Sequence, residues 1–142
     1  GSAAALPAPA PPDPATAVGR VLVVDDEPDL AAGMSDLLAS NGYAVRQVRS
    51  GIEALSVLER DRFDVLLTDI AMRGMTGIEL AEATARMQPD LAILLITGNP
   101  DSAREVTRWP VLDKAAITAT LPAVIRRTIA DQVQARARAR AH

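Results

Sequence analysis

Three apolar runs in this chain end in acidic or hydroxyl groups: VLVVDD at Val21 to Asp26, DVLLTD at Asp64 to Asp69, and LAILLIT at Leu91 to Thr97. If these are parallel strands of one open α/β sheet, their carboxyl ends share an edge, and Asp25, Asp26, Asp69 and Thr97 meet in one crevice. Three carboxylates so placed cannot all stay ionised at close range without a cation. The chemistry such a set supports is a divalent-metal site with a nucleophilic aspartate. Taken singly, each residue has a plainer role. An acidic pair before a helix caps free N–H groups, Asp69 can be a turn residue, Thr97 a loop hydroxyl and Lys114 a solvated lysine. Independent caps, however, do not require the ends of the first, third, fourth and fifth strands to supply carboxylate, carboxylate, hydroxyl and ammonium in that order.

The elements that must position these groups follow from hydrophobic period. Val21 to Val24 is a continuous apolar strand, and Pro28 to Ser40 places Leu30, Met34, Leu37 and Leu38 on one helical face. Asn41-Gly42 ends that helix, both residues tolerating left-handed backbone angles. Tyr43 to Val48 reads as the second strand, and Gly51 to Arg60 as a helix burying Ile52, Leu55 and Leu58. Val65 to Thr68 is the third strand, Gly77 to Met87 the third helix and Leu91 to Ile96 the fourth strand. Pro110 to Leu112 is a short fifth strand, its proline at an edge position that needs no donor. A last helix from about Thr118 buries Leu121, Val124, Ile125 and Ile129. Five β/α units predict a flavodoxin-like, doubly wound five-stranded parallel sheet of order 2-1-3-4-5.

Composition agrees with one such domain. The chain has 142 residues, 49% of them hydrophobic, with one Trp, one Tyr and one Phe, so the core must be aliphatic. Cysteine is absent, which excludes disulfides and thiolate metal sites. No apolar run approaches the roughly 20 residues that span a bilayer, and no signal peptide opens the chain, so a cytoplasmic domain without membrane contact is expected. A net charge of −3 gives no electrostatic case for nucleic acid. Residues 1–17 are Ala/Pro-rich and read as an extended linker, with Gly1-Ser2 a possible cloning scar. The domain proper is assigned to 18–134. The tail 135–142 alternates Arg with Ala, spreading charge around a helix rather than along a face, and is expected to be a frayed, solvated end.

Together the segments VVDDEP, TDIAMRGMTGIEL, LLITG and DK are similar to those of response-regulator receiver domains, the phosphoacceptor modules of two-component signalling, over about Arg20 to Gln134. The resemblance implies that Asp25 and Asp26 are the metal-binding acids, Asp69 the phosphoacceptor, Thr97 the hydroxyl switch and Lys114 the lysine that contacts the phosphoryl group. It also implies Mg²⁺ held by Asp26, Asp69 and the Ala71 carbonyl, with Asp25 acting through water. The implied donor is a phosphohistidine in a histidine kinase dimerisation domain or a histidine phosphotransferase, and the isolated domain is expected to be a monomer.

The chain departs from the family pattern in four places. Lys114 is followed by Ala115-Ala116 rather than Pro-Phe, which points to a trans peptide there because a cis bond before alanine costs about 2.5–4 kcal/mol. Val111 stands where a switch aromatic is usual, and Arg73 replaces a proline. The stretch between Thr97 and Lys114 is short, so the fourth helix is expected to be abbreviated or missing. That abbreviation resembles receivers fused to histidine kinases, so a C-terminal receiver of a hybrid kinase is expected, a stand-alone regulator being the alternative. An aspartate-nucleophile phosphatase of the haloacid-dehalogenase type needs a second Asp where this chain has Ala71. A pseudo-receiver that docks partners without taking phosphate is the remaining rival.

Overall fold

The computed structural model describes residues 17–141, and the Ala/Pro-rich linker assignment therefore lies almost wholly outside the described residues. Five parallel strands, β1 (Arg20–Val24), β2 (Ala44–Val48), β3 (Val65–Asp69), β4 (Ala92–Thr97) and β5 (Val111–Asp113), form one sheet in the order β2-β1-β3-β4-β5. The expected doubly wound fold is thus observed. Helices α1 (Pro28–Ser40) and α5 (Ile117–Ala141) pack on one face, and α2 (Gly51–Arg60) and α3 (Gly77–Met87) on the other. Because both faces are covered, the interior strands β1, β3 and β4 are apolar through their middles, whereas the edge strand β2 carries the exposed Arg46 and Gln47. Leu22, Val24, Leu66, Ile93 and Leu95 face α2 and α3, while Val21, Val23, Val65, Leu67, Leu94 and Ile96 face α1 and α5.

Local signals fix the element ends. Gly42 takes φ +93°, a left-handed angle that closes α1 into β2, whereas its neighbour Asn41 stays at φ −99°. Ser50 caps α2, accepting the Glu53 N–H, and Thr76 with Glu79 forms a reciprocal capping box at the start of α3. The shortened fourth helix is present as α4 (Pro100–Arg104), five residues long, with Pro100 in its first turn and Ala103 buried. No cis peptide occurs among the described residues, Lys114-Ala115 included.

Two features differ from the sequence reading. Ile52 is 72% exposed, because α2 buries the stripe of Gly51, Ala54, Val57 and Leu58 instead. The last helix begins at Ile117 and continues to Ala141, so residues 135–141 are helical, though their side chains are largely solvated. Ala and Arg are strong helix formers, and polar clamps hold this stretch where apolar residues run out. Gln132 donates from Nε2 to the backbone carbonyls of Asp64 (2.9 Å) and Asp90 (2.7 Å), and Arg136 lies 3.9 Å from the Asp64 carboxylate.

Candidate functional site

The sheet changes winding direction between β1 and β3, and there the two strands lie in register with Val24 beside Thr68. The residues that follow, Asp25 and Asp69, are therefore neighbours at the crevice where open α/β sheets bind ligands. Asp69 is 1% exposed, and both its carboxylate oxygens are engaged. Oδ1 accepts the Ala71 N–H at 3.1 Å, and Oδ2 accepts Lys114 Nζ at 3.1 Å. Lys114 begins a 3₁₀ turn after β5, held by Asp113, whose carboxylate accepts the Ala115 N–H at 2.9 Å. That turn places Lys114 at the site with the trans Lys114–Ala115 peptide that the sequence implied.

Asp25 is fully buried. Its Oδ1 accepts the Glu27 N–H at 2.8 Å, and its Oδ2 has no partner among the described residues. Burial chiefly, and then the nearby Asp69 charge, push its carboxyl up to about 6, against the Glu27 N–H bond and Lys114, which pull the other way. For Lys114 the partners outweigh burial. Burial alone would lower it, but hydrogen bonds to Glu27 and Asp69 outweigh this and hold it above its ordinary value.

The structure brings Asp25, Asp69 and Lys114 together as expected, and adds Glu27. One carboxylate oxygen from each of Asp25, Glu27 and Asp69 falls within 4.8 Å of the others, and Glu27 Oε1 lies 3.0 Å from Lys114 Nζ. Asp26 stands outside this triad. Its Oδ2 accepts the Arg73 N–H at 3.1 Å, tying the β1–α1 loop to the β3–α3 loop. Glu27 was legible in principle. Side chains alternate along extended backbone, and Glu27 itself is extended (φ −95°, ψ 104°), so the residue two after Asp25 returns to its side. Thr97 ends β4 one residue beyond Ile96, the register partner of Asp69. Its hydroxyl accepts the Asn99 N–H at 3.1 Å and, among the described residues, makes no bond to Asp69 or Lys114.

A pH dependence follows from Asp25. Below its ordinary value of 3.8 the group is protonated in folded and unfolded chains and has no effect on stability. Between 3.8 and about 6 the unfolded chain ionises first, so stability falls as pH rises, and above that the whole cost is present. Asp25→Asn is expected to stabilise the metal-free protein by about 1–3 kcal/mol at neutral pH, with the gain vanishing in acid. Thermal unfolding across pH checks this, and an unchanged midpoint at neutral pH contradicts it.

Among the described residues no helix is long and apolar enough to cross a membrane. The family model for the response regulator receiver domain matches residues 21–111. The response regulator receiver protein CpdR of Brucella abortus (strain 2308) is 39% identical over 89 residues, which cover 58% of this chain and 74% of that protein. The transcriptional regulatory protein GlrR of Escherichia coli (strain K12) is 34% identical over 80 residues, covering 56% of this chain but only 18% of that protein. Among solved structures, the response regulator TrrA of Thermotoga maritima, in complex with Mg²⁺ and BeF, is similar with a TM-score of 0.73 and 26% identity, over 78% of this chain and 99% of that one. NtrX of Brucella abortus shares the fold, with a TM-score of 0.82 at 22% identity over 87% of this chain and 30% of that one. The family match over most of the sheet, the strand order and the acids at its switch point lead to one assignment: the chain belongs to the response regulator receiver domains.

Proposed function

We propose that Asp69 is the phosphoacceptor, and the observation that carries this is its position. It is buried at the switch point, with one oxygen oriented by the Ala71 N–H and the other by Lys114. A carboxylate oxygen of Asp69 attacks the phosphorus of a phosphohistidine. The O–P bond forms as the N–P bond breaks, and the imidazole nitrogen leaves with the electron pair. The Lys114 ammonium faces the oxygens on which charge gathers, and Thr97 Oγ1 stands at the same edge as a donor for a phosphoryl oxygen.

The residues fit a hard divalent cation such as Mg²⁺. Asp25 Oδ2 is buried and unpaired, and all the donors are oxygen. Asp25 and Asp69 would hold it, the nearby Glu27 carboxylate adding negative charge, with Asp26 and the Ala71 carbonyl as the further ligands implied by the family pattern. When bound, the ion supplies positive charge against the phosphoryl oxygens. TrrA, solved with Mg²⁺ and BeF, supports this reading.

The donor is a histidine kinase or a histidine phosphotransferase. Placement within a hybrid kinase rests on the short α4 alone, and the relatives include transcriptional regulatory proteins, so the parent gene's domain order decides it. Acetyl phosphate is expected to label the protein only with Mg²⁺ present. Because Asp25 must lose its proton, the Mg²⁺ concentration needed falls as pH rises through about 6. Labelling that persists in EDTA overturns the metal-assisted reading.

A further inference from the structure

Lys114 serves two anions in this structure. Its Nζ lies 3.1 Å from Asp69 Oδ2 and 3.0 Å from Glu27 Oε1, and the two carboxylates differ sharply in freedom. The Asp69 side chain is 1% exposed and doubly hydrogen-bonded, whereas that of Glu27 is 62% exposed and, among the described residues, held by Lys114 alone. Glu27 occupies the N-cap position of α1 without making a side-chain cap, so its carboxylate is not needed to start the helix.

We infer that Glu27 is a positioning residue that latches Lys114 and must be displaced when a phosphoryl group arrives, which sets how readily the site accepts one. The inference rests on Asp69 being the acceptor. A phosphoryl group brings about −1.5 to −2 charge and three acceptor oxygens to Asp69. Glu27 already has an oxygen within 4.8 Å of Asp69, so both anions cannot keep their places beside one ammonium. Only Glu27 has a path to solvent. The unphosphorylated state is thus favoured by an ion pair that the phosphorylated state gives up. The same carboxylate acts on the cation with the opposite sign: as one of three clustered acids it favours a divalent ion, and its removal weakens that attraction.

Glu27→Gln keeps the shape and removes the charge. Beryllofluoride, which on a carboxylate stands in for the phosphoryl group, is titrated at saturating Mg²⁺, and Mg²⁺ is titrated alone, both followed by NMR. Beryllofluoride is expected to bind Glu27→Gln about two- to fivefold more tightly than the wild type, the range of a partly exposed ion pair, while Mg²⁺ alone binds more weakly. Asp29→Asn, which removes one charge from the first turn of α1 without touching Lys114, is expected to move neither constant comparably. A general structural disturbance weakens both ligands and does not split them in sign. Beryllofluoride binding that is unchanged or weaker in Glu27→Gln overturns the latch while leaving Asp69 as acceptor. A wild type that does not bind beryllofluoride overturns the acceptor assignment itself.

Discussion

Asp69→Asn is expected to lose phosphoryl incorporation completely while keeping the fold. The amide has the size of the carboxylate, and its oxygen can still accept the Ala71 N–H, so the β3–α3 connection survives. What is lost is the nucleophile, because a neutral amide oxygen does not displace the imidazole leaving group and no other carboxylate at this edge is placed as Asp69 is. Asp25 is buried and tied to the Glu27 N–H, Asp26 is tied to the Arg73 N–H, and Glu27 is held by Lys114. Acetyl phosphate labelling compared with the wild type, alongside matched NMR spectra, checks both halves. Residual labelling of a folded Asp69→Asn protein means that the acceptor is elsewhere.

The largest loss of stability is expected at Gly77, the first residue of α3. A Cβ there would collide with the carbonyl oxygen of Asp69 and come within 2.8 Å of both the Asp69 carbonyl carbon and Ile70 Cα. All three are backbone atoms, so no side chain can rotate aside, and the Gly77 N–H is itself bonded to the Ile70 carbonyl at 2.9 Å. The end of β3 and the start of α3 must part to admit a methyl group. Gly77→Ala is expected to cost about 1–3 kcal/mol, the usual range for overpacking, and to slow labelling because the displaced backbone carries Asp69. Gly33→Ala supplies the contrast. Gly33 is exposed within α1 with open space at its Cβ, so alanine there is expected to stabilise by about 0.5–1 kcal/mol. Denaturant unfolding of the two variants checks the pair, and equal stabilities contradict the account of Gly77.

The sheet was legible because strands buried on both faces must be continuously apolar, and Val21–Val24, Val65–Thr68 and Ile93–Ile96 have little alternative. Their order followed from β/α alternation. Helix faces were less certain. In α2 the stripe through Ile52 and Leu55 and the stripe through Gly51, Ala54 and Leu58 both repeat at helical spacing, and it is the second that packs inward, Gly51 close to Met75 and Ala54, Val57 and Leu58 in the core. The end of α5 was missed because Gln132 and Arg136 bond to groups more than forty residues away, which no local period records. The same limit applied at the site. Strand ends exposed Asp25, Asp26, Asp69 and Lys114, but the Lys114–Glu27 pair joins residues 87 apart, and the Asp26–Arg73 tie joins residues 47 apart. Both depend on how loops close over the edge, a matter of tertiary geometry rather than of residue type.

A phosphoryl group carried by Asp69 can be trapped where it sits. The direct measurement is to treat the protein with acetyl phosphate and Mg²⁺, trap the acyl phosphate by borohydride reduction and map the modified residue by peptide mass spectrometry. A single modification is expected, at Asp69, absent without Mg²⁺ or acetyl phosphate. Modification at Asp25, Asp26 or Glu27 in its place, or none in a folded protein, contradicts it.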